Sequence, residues 1–300
     1  MKKQIQGSLY LLLATLIWGS TFVAQRVGMD YIQPFTFQAA RCFLGILVLM
    51  PVIAVADRFK RDGKTFLSRW KDKKLWKAGL LCGIPLFLAC NLQQVGLVET
   101  DAGKAAFLTS MYIVFVPLTS LFWKKQASVW LWVSVPMAVA GLYFLSCAGM
   151  SRVRVSDLML IACALMFTAQ ILFVEKFADS VDALRLNVIQ GSVCCVLSFI
   201  VMLFTETPTW KAVADCWLPI GYAGILSLGI AYSLQILGQQ RLDSTPASII
   251  MSLESVVAVI CGWLILHEAM TKWEVLGCIL LFIAVILSQI PGKNKVPRQG

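Results

Sequence analysis

Long apolar runs alternate with short polar segments along the whole chain. With their flanks, runs such as 9–23 and 275–290 reach the ~18 residues that an α-helix needs to cross a ~30 Å hydrocarbon layer. Breaks in hydropathy, prolines and charges divide the chain into ten predicted spans: 8–27, 34–55, 75–98, 104–123, 128–148, 156–175, 184–204, 217–238, 245–266 and 273–291. The pattern therefore predicts an all-α integral membrane protein with ten transmembrane helices.

Charged residues are few and lie unevenly between these spans. Of the 300 residues, 59% are apolar and 14% are charged, far from the balance of a soluble domain. With the N-terminus inside, nineteen of the 26 Lys and Arg residues fall on inner segments, nine of them in 57–77. This bias predicts cytoplasmic N- and C-termini and makes 57–77 a basic cytoplasmic loop. It also accounts for the net charge of +10, so we expect no nucleic-acid partner.

An internal repeat divides the chain into halves. A shift of 142 residues aligns 93–146 with 235–288 without a gap, and a shift of 149 places the first two spans on the sixth and seventh. Each half, 1–150 and 151–300, then holds five spans, and an odd number reverses the second half in the membrane. The sequence thus predicts two inverted five-helix repeats, an organisation that is the usual basis of alternating access.

Two ionisable side chains lie deep within predicted spans, where a charge costs ~2.5–3.5 kcal/mol on insertion scales. Arg41 shares a helical stripe with Gln38, and the repeat equivalents of these residues are Gln190 and Asn187. Glu254 lies near the middle of the ninth span. The sequence leaves two interpretations open: Arg41 and Glu254 form a buried pair or bond to backbone and water, or they act directly on a substrate or proton.

Other polar and aromatic side chains inside the spans extend this candidate site. Any one of them is explained by a hydrogen bond between helices, but their number favours a polar cavity. A lining of amides, aromatic rings and one or two charges suits a small organic solute better than a metal ion, which prefers clustered carboxylates. Glu254 is also the candidate for proton coupling. The further candidate binding residues are Trp18, Asn91, Gln94, Tyr112, Gln170, Tyr232 and Gln235.

The sequence offers little support for enzyme chemistry or for a cofactor. The Gly-Lys-Thr at 63–65 lacks the glycine that a phosphate-binding loop needs five residues earlier, where Arg58 stands. His267 is the single histidine, which excludes a Ser/His/Asp set and a two-histidine zinc motif. We therefore expect no enzyme activity, no cofactor and no ATP-driven pump.

Several short motifs resemble one transporter family. They are Leu-Ile-Trp-Gly-Ser-Thr-Phe at 16–22, Pro-Phe-Thr-Phe-Gln-Ala-Ala-Arg at 34–41, Tyr-Ile-Val-Phe-Val-Pro at 112–117, Leu-Glu-Ser at 253–255 and Leu-His-Glu at 266–268. In order and spacing, over nearly the whole chain, they resemble the ten-helix, EamA-type members of the drug/metabolite transporter superfamily. The resemblance implies a bacterial inner-membrane permease, commonly an exporter of amino acids or other metabolites, with a central cavity between two five-helix repeats.

Carried over to this sequence, the resemblance implies that Trp18, Arg41 and Glu254 lie near the cavity and that Glu268 lies at an outer helix end. One position departs from the family pattern, because Ser255 follows Glu254 where members often have proline. The departure puts a proline-dependent break in the ninth helix in doubt.

Two functional hypotheses follow from the sequence. The first is a secondary transporter of small organic solutes that works by alternating access between the two repeats. The alternative is a non-transporting polytopic membrane receptor or assembly protein. Saturable solute flux in liposomes distinguishes the first from the second.

Overall fold

The computed structural model describes residues 2–60, 65–122, 129–146, 154–266, 271–288 and 290, and all regular structure in this part of the chain is helical. Eight of its helices are long and apolar enough to cross a membrane, and two shorter apolar helices, 132–144 and 275–288, accompany them. We number the apolar helices α1 to α10 in chain order and treat a helix with an internal break as one. The fold agrees with the predicted all-α membrane protein.

Seven of these helices are continuous, and three are interrupted. The continuous helices are α1 (Lys2–Gly28), α2 (Pro34–Arg58), α3 (Lys73–Gly96), α5 (Val129–Ser146), α6 (Val155–Phe177), α7 (Ala183–Thr205) and α10 (Lys272–Ser288). The interrupted helices are α4 (Ala102–Ser110 and Tyr112–Phe122), α8 (Trp217–Tyr222, the π-helix Ala223–Ala231 and Tyr232–Gln239) and α9 (Ser244–Met251 and Glu254–Leu266). Short helical turns occur at Ser68–Lys71, Ala178–Ser180 and Trp210–Asp215.

The surface of the molecule is apolar, and much of its polar character is inside. Large apolar side chains such as Phe43, Phe204 and Ile286 are 63%, 85% and 65% exposed, while Gln38, Asn187 and many other amides and hydroxyls are buried. Such a distribution is stable when lipid rather than water surrounds the helices, because lipid tails do not drive apolar side chains inward. The chain is therefore a multi-pass membrane protein.

The helices form two groups that face each other. In one group α1 packs against α8 and α9, and α2 packs against α8; in the other, α3 packs against α6 and α7, and α4 packs against α6. The groups meet where α2 contacts α7 and where α4 contacts α9, and α5 and α10 pair beside them. Glycines allow close approach within a group: a Cβ atom on Gly45 of α2 would lie 2.6 Å from the carbonyl oxygen of Gly224 on α8.

The predicted loop 57–77 is too long, because both neighbouring helices extend into it. Helix α2 continues to Arg58, and α3 begins at Lys73, where the Asp72 carboxylate accepts a hydrogen bond of 2.8 Å from the backbone N–H of Lys74. This N-cap starts the helix within the charged segment, where hydropathy alone indicates a loop. The connection between α2 and α3 is therefore shorter than predicted.

The predicted spans 104–123 and 245–266 are not single continuous helices. Helix α4 breaks at Met111, and α9 breaks at Ser252 and Leu253. The break in α9 forms although Ser255 stands where a proline would follow Glu254. Serine hydroxyls bond nearby carbonyls there, from Ser252 to Ile249 at 2.8 Å and from Ser255 to Ser252 at 2.7 Å, which competes with regular helix geometry.

Candidate functional site

A cavity lies between the two helix groups, with an empty space of about 440 Å³ that includes its open mouth. The space in which the centre of a water molecule fits is about 30 Å³, so the cavity is narrow in this conformation. Six of the twelve residues predicted from the sequence line it: Trp18, Arg41, Tyr112, Tyr232, Gln235 and Glu254. The other lining residues are Phe22, Gln25, Gln93, Phe167, Ile171, Ser227 and Met251.

The breaks in α4 and α9 bring a carboxylate and a phenol together in the cavity wall. Glu254, 5% exposed, begins the second segment of α9, where the helix dipole favours a negative charge. Its Oε1 accepts a hydrogen bond of 2.9 Å from the Tyr112 hydroxyl, at the start of the second segment of α4, and one of 3.4 Å from the Ser110 hydroxyl. The Glu254 carboxylate is thus held by neutral donors.

Arg41 lines the same cavity from α2 and is 3% exposed. Its Nε donates to Oε1 of Gln38 at 2.7 Å. The Gln38 amide in turn donates to Sγ of Cys42 at 3.1 Å and Sγ of Cys194 at 3.2 Å, which fixes its orientation. Within the described part of the chain, no carboxylate lies within 4.0 Å of the Arg41 guanidinium. The predicted alternative in which Arg41 and Glu254 form a buried ion pair is therefore wrong for this conformation.

A chain of amides stands behind the cavity wall. Gln170 and Gln235 bond each other, with distances of 3.1 and 3.4 Å between their amide atoms. Gln170 also donates to Gln190 at 3.2 Å, and Gln190 donates to Asn187 at 3.1 Å. Of these four, only Gln235 lines the cavity, so Gln170 and Gln190 orient it from behind.

Asn187 supports the distorted part of α8. Its amide donates to the Leu228 carbonyl at 2.8 Å and to the Ser233 hydroxyl at 2.9 Å. A π-helix leaves backbone groups without their usual α-helical partners, and Asn187 supplies a donor to one of them. The π-helix ends immediately before Tyr232, so this support helps to set where the Tyr232 ring enters the cavity.

The last two predicted residues join helices outside the cavity lining. Asn91 donates to the Phe87 carbonyl and to the Ser198 hydroxyl, both at 2.8 Å, which ties α3 to α7. Gln94 donates to the Gln25 carbonyl at 3.3 Å, which ties α3 to α1. Both contacts hold the helices that carry the lining.

Aromatic rings form the cavity wall next to Arg41. Trp18 and Tyr232 meet edge to face, with their ring centroids 5.0 Å apart. The buried Trp18 Nε1 and the buried side-chain oxygen of Gln25 have no hydrogen-bond partner among the described residues. A buried polar atom without a partner is costly, so a polar solute that bonds these atoms would gain free energy from the site.

Two lining residues that are not among the twelve candidates could have been found from the internal repeat. Phe167 is the equivalent of Trp18 under the shift of 149, and Gln93 is the equivalent of Gln235 under the shift of 142. Both enter the cavity from the other helix group. Nothing in the sequence identifies Phe22, Ile171 and Met251 as lining residues, because an apolar side chain that faces a cavity cannot be told from one that faces lipid.

Within the described residues, no three His, Cys, Asp or Glu side chains are placed to hold a metal ion.

The fold and the cavity define a multi-pass membrane protein with a polar site between its helices. The sequence model of the EamA-like transporter family matches residues 5–147 and 154–289. The chain belongs to the EamA-like transporter family and is a membrane transporter, which confirms the resemblance inferred from the motifs.

Relatives and a solved structure agree with this assignment. The chain is 31% identical over 291 residues to an uncharacterized transporter of Archaeoglobus fulgidus, covering 95% of this chain and 86% of the relative. It is 24% identical to the uncharacterized transporter YoaV of Bacillus subtilis, covering 95% and 97% of the two chains. A protein of known crystal structure superimposes with a TM-score of 0.77 at 19% identity, over 94% of this chain and 96% of that one, which supports the fold.

Proposed function

We propose that the chain is a secondary transporter of small organic solutes that works by alternating access around the central cavity. The observation that carries the proposal is the pair of buried ionisable groups, the guanidinium of Arg41 and the carboxyl group of Glu254, which line one cavity without pairing with each other. Buried charges usually have a partner, and a transient solute supplies one to each. The proposed membrane is the bacterial inner membrane, with both termini cytoplasmic.

The proposed architecture is two inverted five-helix repeats, 1–150 and 151–300, with ten membrane crossings. The family match in two segments supports this division. Helix bounds support it too, since α2 and α7 begin at residues 149 apart and both segments of α4 and α9 begin at residues 142 apart. Repeat equivalents also meet in space: Tyr112 bonds Glu254, and the Cys90 thiol lies 3.5 Å from the Tyr232 hydroxyl.

The two helix groups are the proposed moving parts. Under the repeat, α1, α2, α8 and α9 exchange with α6, α7, α3 and α4, so each group contains helices of both halves. Rocking one group against the other would open the cavity first to one side and then to the other. The contact of α2 with α7 and the α5–α10 pair would guide that motion.

The cavity chemistry favours a zwitterionic or polar metabolite such as an amino acid, with export as the proposed direction. A solute carboxylate would bind the Arg41 guanidinium, and a solute ammonium would bind Glu254 next to the Tyr112 hydroxyl. The Trp18 ring offers its face to a cation or an apolar side chain. In this proposal Gln38, Asn91, Gln94, Gln170, Asn187 and Gln190 hold the lining in place.

Glu254 remains the proposed site of proton coupling. A carboxyl group in the cavity wall, with hydroxyl donors on Oε1, can exchange a proton with whichever side the cavity faces. Liposome flux driven by an imposed pH gradient tests this part. Flux that ignores the gradient would remove proton coupling and leave the carrier proposal in place.

The experiment on the function begins with metabolite profiling of cells with and without the protein and continues with flux assays in liposomes. We expect saturable flux of the solute that the profiling identifies, and its loss in Glu254→Gln. The matched control is Asp30→Asn, which removes an exposed carboxylate paired with Arg26. No saturable flux of any profiled metabolite, together with a protein partner that co-purifies, would favour the non-transporting alternative.

A further inference from the structure

The contact between α2 and α7 is closed at both ends by a carboxylate. At one end Asp57, in the last turn of α2, contacts Arg185 in the first turn of α7. At the other end Glu206, directly after α7, contacts the first turn of α2 at Thr36. The shift of 149 residues places Asp57 on Glu206 and Thr36 on Arg185. The two contacts, the Asp57 contact and the Glu206 contact, are therefore equivalent under the repeat.

The Asp57 contact belongs to a buried ionic cluster. Arg185 is 1% exposed and bonds Asp57, and its Nη1 lies 3.4 Å from Oδ2 of Asp182. Lys60, in the connection after α2, donates to the same Asp182 oxygen at 2.6 Å. The guanidinium also lies over the Trp70 ring, 5.3 Å from its centroid. The cluster thus joins residues that follow α2 with residues that begin α7.

The Glu206 contact caps a helix across the interface. Helix α2 begins at Pro34, and the preceding Gln33 makes no side-chain cap. Instead, Oε1 of Glu206 accepts from the backbone N–H of Phe35 at 2.8 Å, and Oε2 accepts from the N–H and the hydroxyl of Thr36 at 2.7 and 2.6 Å. The backbone N–H groups in the first turn of a helix have no partner within the helix, and this end of the helix favours a negative charge. The Glu206 carboxylate, directly after α7, therefore supplies the acceptor that Gln33 does not provide to α2.

We propose that Asp57 and Glu206 are positioning residues of the transport cycle, each holding its own end of the α2–α7 contact closed until the cavity opens to that side. The inference rests on the proposed rocking motion. Helix α2 belongs to one group and α7 to the other, so an end cannot separate while its carboxylate contact is intact. Hydrogen bonds are lost beyond about 3.5 Å, so a displacement of roughly 1 Å breaks the Glu206 contact, whose bonds are 2.6–2.8 Å long.

The test is hydrogen–deuterium exchange of the full-length protein in lipid nanodiscs, which needs no substrate. In Asp57→Asn, we expect amide exchange at residues 183–188 to rise at least about fivefold and exchange at 35–38 to fall, because molecules that open more often at one end open less often at the other. Glu206→Gln should reverse the two directions. The conservative changes Asp57→Glu and Glu206→Asp should behave like wild type, as should the exposed control Asp30→Asn.

The reciprocal fall at the distant end separates the proposal from simple fraying. A rise confined to the mutated end, a rise at both ends, or no change at either would overturn it. If Asp57→Asn does not accumulate because Arg185 loses its closest carboxylate, Glu206→Gln decides alone, since it leaves no buried cation. Because exchange is measured without solute, failure here is distinct from absence of flux.

Discussion

Two buried arginines on equivalent helices, Arg41 on α2 and Arg185 on α7, have opposite surroundings. They are 3% and 1% exposed. Arg185 has two carboxylates and an aromatic ring around its guanidinium, whereas the Arg41 guanidinium donates to one neutral amide. Burial alone therefore does not distinguish the structural charge of Arg185 from the charge that we propose binds the solute, Arg41. The difference lies in whether the protein itself neutralises the charge.

The energetics of buried charges explain why this difference matters. A buried ion pair is close to neutral for stability as a whole, but removal of one partner leaves an uncompensated charge and costs roughly 3–5 kcal/mol. Arg185 and Asp57 approach that situation, since each is the closest charged partner of the other. Part of the charge stays compensated on removal of either, because Asp182 lies 3.4 Å from Arg185 and two basic side chains lie 3.7 Å from Asp57. Arg41 has no carboxylate partner to lose among the described residues, so its substitution should spare the fold and affect the proposed solute site.

The largest effect that we expect is on transport by Arg41→Gln. Loss of the guanidinium removes the proposed partner of the solute carboxylate, and flux in liposomes should fall at least about 100-fold. The melting temperature of the purified protein should stay within a few degrees of wild type. Normal flux in this variant would remove Arg41 from the proposed site.

The second effect is on stability, in Arg185→Gln. This substitution removes the closest cation of Asp57 and leaves Lys60 and Arg69 at 3.7 Å, so we expect a loss of about 1.5–3 kcal/mol, seen as a lower melting temperature and lower yield. The double variant Asp57→Asn with Arg185→Gln should recover part of that loss, because it removes both charges. A double variant that is less stable than either single one would contradict the paired arrangement.

A smaller effect is expected in Tyr112→Phe. The change removes the hydroxyl that donates to Glu254 at 2.9 Å and keeps the ring, so packing should be retained. The loss of this hydrogen bond, about 0.5–1.5 kcal/mol, should lower flux by roughly twofold to tenfold. The matched control is Tyr10→Phe, whose hydroxyl bonds Gln6 near the start of α1.

The smallest effect is a dependence on pH at Asp182. Burial raises the pKa of Asp182, but the Lys60 bond and the backbone N–H of Arg185 outweigh it, and the net pKa lies below its usual range. A lowered pKa in the folded state contributes stability that is complete at neutral pH and is lost as the pH falls below about 4. The difference in melting temperature between wild type and Asp182→Asn should therefore shrink on acidification. A constant difference would contradict this assignment.

The sequence predicts much of this fold because hydropathy and repeats act over long segments. The helices match most of the predicted spans, and the shifts of 142 and 149 relate equivalent positions such as Tyr112 and Glu254. Arg41 and Glu254 stand out because charges in apolar runs are rare. The break in α9 coincides with local hydrogen bonds of the Ser252 and Ser255 hydroxyls, which span prediction does not consider.

The burial of Arg185 could not be predicted from the hydropathy and charge pattern of the sequence. From the sequence this arginine counts as one more basic residue near a predicted inner end, where Lys and Arg are expected to be solvated. In the structure it is among the largest fully buried side chains, enclosed by Asp57 and by Trp70 from the connection after α2. Its role depends on contacts between residues more than 100 positions apart, and no local pattern carries that information.

The most direct test of the account is the affinity of the purified protein for the transported solute, measured by isothermal titration in wild type, Arg41→Gln and Glu254→Gln. Both variants should bind the solute at least about tenfold more weakly, while the exposed control Asp30→Asn should bind it as wild type does. Wild-type affinity in both cavity variants would contradict the account.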